Sequence, residues 1–372
     1  MKQYLTIFIL ILLVGTSVLG IALAIDRGVL SSVDDEEIDL SQNALIHQPS
    51  FDSAIKNDSS SVVIPSIDKT PRSLDSTALS FPFVMPDGVT VRAYNTKTGV
   101  IREYDLFRLS ESKQVATIHK NASNLTWSND GKKVIASIGS DFFQYDLFRG
   151  SSLKIPTGIF SPIFTNDSGD IAHLVFDEAI GEGSLRISDG KFSSFNTLMK
   201  TRLKSWSLES LDQKTISLLI TSTENQLDNL FLFNISKKEL SPILQDQRDI
   251  HLLWAPDGSS LIFSRTREDS TELLLLKPGN SNATILQLSV SAKKCAWGSI
   301  DMLYCAVTSQ GTGESIVKMR IDLTNSQASS PVEIISASSL GGADVRDLMI
   351  AANNSMFVFR DARNGKIFKI DF

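Results

Sequence analysis

From about residue 79 onward, short apolar runs alternate with polar turn residues, and no stretch repeats its apolar positions at helical spacing. Leu252-Leu253-Trp254 and Leu348-Met349-Ile350 are apolar at every position, the pattern of a strand covered on both faces. The runs pair into hairpins. LTWSNDGKKVI (125–135) and LLWAPDGSSLIF (252–263) place an aromatic before a tight turn and a second strand after it. Asp and Asn suit such turns because they accept local hydrogen bonds, and Gly because it takes positive φ. Aligned on Trp127, Phe164, Trp206, Trp254 and Trp297, the units recur at steps of 37, 42, 48 and 43 residues. That is the spacing of propeller blades rather than of helical solenoids.

A third strand closes on a recurring cadence in six of the units: Tyr104-Asp105-Leu106, Tyr145-Asp146-Leu147, Ile187-Ser188-Asp189, Phe233-Asn234-Ile235, Ile321-Asp322-Leu323 and Ile370-Asp371-Phe372. Seven units of about 42 residues fill 79–372. The pattern predicts an all-β fold, a seven-bladed β-propeller of four-stranded antiparallel blades. Each aromatic is expected to fill the wedge between neighbouring sheets. The last unit stops at its third strand, so an N-terminal stretch is expected to add the missing outer one. Ser61-Val62-Val63-Ile64 is the candidate.

Residues 1–25 follow a different rule. After Lys2 the run from Tyr4 to Ile25 has no charge and no polar face, long enough as a helix to cross a hydrocarbon core. The preferred expectation is a transmembrane signal anchor, because the run exceeds a usual signal core. A signal peptide cleaved after Ala24 is the alternative, since Ala22-Leu23-Ala24 fits a small-x-small site. Both place the remaining chain outside the cytoplasm, either tethered to the cell membrane by a single pass or free as a secreted or periplasmic domain. Residues 26–78 are rich in Ser, Asp and Asn, with the acidic run Asp34–Glu37, and read as a flexible linker.

Composition narrows the partners. A net charge of -6 with scattered Lys and Arg leaves no basic stripe for nucleic acid. The phrases LTWSNDGKKVIAS and LLWAPDGSSLIFS resemble the WD40-like repeats of the periplasmic TolB family. The chain as a whole is similar to membrane-anchored bacterial propeller proteins that carry a KCxW…LYCA element. Here that element reads Lys294-Cys295-Ala296-Trp297 and Leu303-Tyr304-Cys305-Ala306. The chain departs from the TolB pattern in having no separate N-terminal α/β domain, so a Tol–Pal role does not carry over.

Candidate chemistry is sparse. Cys295 and Cys305, the two cysteines, fall on strands of one hairpin, either as a disulfide or as two buried thiols. Their spacing is not that of a metal site. His47, His119, His173 and His251 are spread over the linker and three units, which gives no shared site. No nucleophile elbow, zinc-helix or phosphate-loop motif occurs, so no catalytic residue, cofactor or metal is expected. The expected function is a scaffold binding a protein, peptide or glycan on a propeller face, contacted by loops 177–184, 222–229, 265–271 and 308–315 on one rim. The alternative is a hydrolase or lyase acting on an extracellular polymer, with acids converging on the channel mouth.

Overall fold

The computed structural model describes residues 69–109, 111–165, 169–202, 206–221, 226–280, 282–309 and 313–372. The anchor at 1–25, the linker as far as residue 68 and the closing-strand candidate Ser61–Ile64 lie outside the described residues. The rest forms seven antiparallel sheets arranged as a β-propeller. Blade 1 pairs Ser80–Val84, Thr90–Asn95, Val100–Asp105 and Ser112–Thr117 in chain order. Blades 2 to 5 repeat that order from Asn124–Trp127, Ile159–Phe164, Trp206–Ser210 and His251–Trp254. Blade 6 begins at Cys295–Ser299 and blade 7 at Val345–Ala351. The first strand of blade 1 touches those of both blade 2 and blade 7, which closes the circle.

Closure comes from the N-terminal side of the domain. Arg72–Ser73 pairs antiparallel with the third strand of blade 7, Ile367–Asp371, setting Arg72 opposite Lys369 and Ser73 opposite Phe368. Leu74 N–H then donates to Ile367 O at 2.9 Å, and Leu79 N–H to Gly365 O at 2.8 Å. Among the described residues the outer strand of blade 7 is therefore Arg72–Ser73, and the propeller starts there rather than at residue 79. The physical reason is burial. Leu74 and Leu79 sink between blades 7 and 1 beside Val91, Tyr104 and Val358, so side-chain packing selects this stretch despite its modest strand propensity.

Turn chemistry sets the hairpins. In Ser128-Asn129-Asp130-Gly131, Gly131 N–H donates to Ser128 O and Asp130 Oδ1 accepts from Lys132 N–H. Ala255-Pro256-Asp257-Gly258 repeats the arrangement, and so does Met85-Pro86-Asp87-Gly88. Each glycine sits near φ +70°, at 68°, 69° and 71°, where a Cβ is disfavoured. The third of these turns opens blade 1, with Phe83-Val84 ahead of it where blade 2 has Trp127. The repeat thus extends one unit further upstream than the tryptophans suggest.

Seven apolar clusters fill the seven wedges between blades. Trp127 packs between blades 1 and 2, stacked on Phe83 at 5.4 Å. Phe164 lies between blades 2 and 3, Trp254 between 4 and 5, and Trp297 between 5 and 6. Trp206 fills the wedge between blades 3 and 4 but from the opposite end of its strand. It faces Ile220, near the end of its second strand, whereas Trp127, Phe164 and Trp254 face Val134, Ile171 and Leu261, at the start of theirs. The position equivalent to those aromatics in blade 4 is Ser210, followed by the turn at Leu211, whose N–H donates to Thr215 O. Aligning on Trp206 therefore misplaces this unit by four residues, because an aromatic can reach the same wedge from either end of the strand.

Cys295 and Cys305 are directly opposite in register and joined as a disulfide, with Cα atoms 4.0 Å apart. The bridge faces the wedge between blades 5 and 6.

Replacing Leu74 by Ala is expected to lower the unfolding free energy by about 2–4 kcal/mol, the usual cost of emptying a buried leucine site. Chemical denaturation of the full chain measures this. An unchanged midpoint would show that the segment does not close blade 7.

Candidate functional site

The two faces of the ring are built differently. In every blade, antiparallel pairing puts the first-to-second and third-to-fourth turns at one end, here the turn face. The second-to-third turns and the connections to the next blade share the other end, the connection face. The stretches expected as long loops, 177–184, 222–229, 265–271 and 308–315, flank second-to-third turns on that connection face. Among the described residues Asp177 pairs with Glu182, Arg267 with Ser270 and Ser309 with Gly313, so strand pairing runs into three of these stretches. Side chains there staple blades 1, 4, 5 and 6 to the strand entering the next blade. Tyr94 Oη accepts from Ala122 N–H, Asp228 Oδ2 from Ile250, Ser264 Oγ from Ala292 and Glu314 Oε2 from Val345. Glu314 is also ion-paired to Lys294, which reaches Asp344 at 3.0 Å.

A cavity of about 960 Å³ opens on the turn face between blades 2 and 3. Its cause is visible in the core. Among the described residues the wedge between these blades holds five fully buried apolar side chains, Ile135, Ile155, Ile159, Phe164 and Ile171, fewer than any other wedge. Polar groups take over where the wedge runs out. Gln144 is buried against the cavity at 8% exposure, and its Oε1 has no hydrogen-bond partner. An orphaned buried acceptor of this kind costs about 1–3 kcal/mol.

Around Gln144 the carboxylates are engaged locally. Partial burial alone would raise the Asp130 pKa, but hydrogen bonds from Lys132 N–H and the Ser128 hydroxyl outweigh it and hold the carboxyl below its usual range. Asp189 is also lowered, chiefly by the Ser193 hydroxyl. Asp146 Oδ1 accepts from Phe148 and Arg149 N–H, turning the chain so that the Phe148 ring stands 84% exposed at the rim. Sequence reasoning did not single out Phe148 or Arg149, yet a signal was present. The pentapeptide Tyr-Asp-Leu-Phe-Arg occurs at both 104–108 and 145–149. Asp and Leu recur in other units because the turn and core need them; Phe and Arg do not.

The second candidate is the axis. Asn124, Thr126, Ser161 and Ser207, from the first strands of blades 2, 3 and 4, line a cavity of about 250 Å³. In blade 4, Trp206 and Leu208 face the wedge, while Ser207 and Glu209 alternate onto the axial side. Glu209 is open to channel solvent but enclosed by the ring. Desolvation by the enclosing ring, with no compensating cation or hydrogen bond among the described residues, pushes its pKa up to about 7. At the other mouth His251 lies 3.5 Å from Asp249, and burial first and Lys293 second lower its pKa. His119 contacts the Tyr145 hydroxyl, and His173 is buried in blade 3, so the histidines do not converge. Among the described residues no three His, Cys, Asp or Glu side chains cluster to hold a metal.

The expected blade aromatics Trp127, Phe164, Trp206, Trp254 and Trp297 all sit in wedges away from both cavities. Trp127 Nε1 donates to Phe81 O at 3.2 Å and Trp297 Nε1 to Leu253 O at 3.4 Å, each a carbonyl of the preceding blade. Trp206 and Trp254 bury their Nε1 without a partner.

No protein-family model matches the sequence, and no curated protein matches it. Solved structures do match the fold. An oligogalacturonate lyase in complex with manganese is similar at a TM-score of 0.58 and 11% identity, over 82% of this chain and 94% of that one. An oligogalacturonate lyase from Vibrio parahaemolyticus reaches 0.55 at 9% identity, over 80% and 92%. The β-propeller domain of the Trilobed protease from Pyrococcus furiosus, with an open velcro topology, reaches 0.51 at 13% identity, over 82% and 95%. At these identities the likeness establishes a propeller and nothing about activity.

A carboxyl whose folded pKa exceeds its unfolded value of about 4.5 holds its proton more tightly in the native state. The stability it contributes is complete below about pH 4.5 and is lost as pH rises through 7. Because channel solvent screens most of the shift, Glu209→Gln is expected to match the wild type in thermal midpoint near pH 4.5 and to exceed it only slightly near pH 8. Parallel pH curves for the two proteins would refute the assignment.

Proposed function

We propose that this chain is a membrane-tethered binding module whose propeller stands outside the cytoplasm and presents its turn face to a protein, peptide or glycan. The groove between blades 2 and 3 carries the reading. It is a concave site of ligand size on short turns whose backbones Asp130, Asp146 and Asp189 hold in place. Export is supported by the apolar run at 1–25, by the TolB-like repeat phrases and by the bonded Cys295–Cys305 pair, which suits an oxidising compartment. The 26–78 segment up to the closing strand serves as the tether.

A second reading rests on Glu209. A carboxyl with its pKa near 7 can donate a proton at neutral pH, as a polymer-cleaving hydrolase or lyase requires. Two of the similar folds are oligogalacturonate lyases, which keeps a polysaccharide lyase in view.

Two experiments test these readings. Alkaline phosphatase fused after Phe372, which folds only outside the cytoplasm, is expected to be active and membrane-bound, and an inactive fusion would overturn export. Intact mass separates an uncut anchor from cleavage after Ala24. For the second reading, incubation with polygalacturonate should release oligomers with the wild type and none with Glu209→Gln; equal release, or none from either, removes it.

A further inference from the structure

Four features of the groove between blades 2 and 3 point to one ligand chemistry. Its charges are balanced and locally paired: Lys132 lies 3.3 Å from Asp130 and Arg149 3.9 Å from Asp146. Among the described lining residues, Asp170, Asp189, Lys133 and Lys191 complete four carboxylates against four cations, a balance that gives no net pull on an ion of either sign. Gln144 Oε1 is an unsatisfied acceptor in a side chain more than nine-tenths buried, and it needs a donor. The hydroxyls of Ser151, Ser152 and Ser193 line the same cavity. At the rim, the Phe148 ring offers a flat apolar face that no core residue covers.

We infer that this groove is a binding site for a neutral, hydroxyl-rich glycan. A sugar ring combines an apolar face, which Phe148 would cover, with a fringe of hydroxyls that both donate and accept. Those hydroxyls match the serines and the paired charges, and one can supply the donor that Gln144 lacks. A peptide or protein partner fits less well. Such partners are held by apolar or aromatic anchors in dry pockets, and this groove is floored by an amide and walled by Asp, Lys and Ser. The inference rests on the binding-module reading and gives it a site and a ligand class.

The chain carries its own control. Phe107, in the identical turn of blade 1, is 63% exposed and lies outside the groove. Its Asp105 accepts from Phe107 and Arg108 N–H as Asp146 does from Phe148 and Arg149 N–H.

The test is affinity electrophoresis of the full chain in detergent, in native gels containing dextran, galactomannan or mixed-linkage β-glucan. At least one polysaccharide is expected to retard the wild type, with little change between low and high salt. Phe148→Ala should weaken that retardation at least tenfold and Phe107→Ala should leave it unchanged. Gln144→Leu should weaken it severalfold while its unfolding midpoint does not fall, because an orphaned acceptor has been removed. Three results would each overturn the proposal: no retardation by any of the three polysaccharides, equal losses in the two phenylalanine variants, or binding abolished by salt. An active phosphatase fusion together with failed glycan binding would leave the tethered module standing and remove only the glycan.

Discussion

A small twisted sheet with two apolar faces is insoluble by itself, and it becomes stable only when neighbours cover both faces. Everything in this molecule follows from that constraint. Seven wedges between blades hold the core, and each blade is buried only because two others flank it. A gap at any one interface would expose two faces together. The ring must therefore close, and the short pairing of Arg72–Ser73 with Ile367–Asp371 matters less for its hydrogen bonds than for Leu74 and Leu79, which it carries into the last wedge.

The same constraint explains the unequal faces. Connections on the connection face have to span from one blade to the next, so side chains such as Asp228, Ser264 and Glu314 hold the incoming backbone in place. Turns on the turn face have no such duty. They are set by Asp and Gly within a few residues, which leaves the positions after the capping Asp available for other uses. Where the wedge beneath is thinly filled, as between blades 2 and 3, these turns border a groove rather than a packed surface.

Several buried polar atoms depart from full satisfaction, and they divide by location. Trp206 and Trp254 lose an indole hydrogen bond while filling a wedge, a cost that the area buried by a large aromatic ring offsets. Gln144 gains no such packing and borders the groove, so its unsatisfied acceptor lies where a ligand can reach it. Glu209 is exposed to the channel rather than buried, and a proton can reach it there. This distinction, more than any motif, separates candidate functional groups from structural ones here.

The sequence alone determined the class of fold, the number of blades and the position of most hairpins, because each rests on contacts within one hairpin. The Asp-Gly turns, the Tyr-Asp-Leu cadence and the aromatic before several of the turns are local rules repeated along the chain. It also placed Cys295 and Cys305 on one hairpin, but only register made them direct partners. Tertiary structure decided what depends on distant segments. It showed which end of its strand Trp206 fills a wedge from and which described stretch closes the ring. It also placed Gln144, Phe148 and Lys191 around one groove, though Lys191 follows Phe148 by 43 residues of chain. Local turn energetics repeat and can be read in one dimension. The filling of a wedge is a property of two sheets meeting, and no single stretch of chain encodes it.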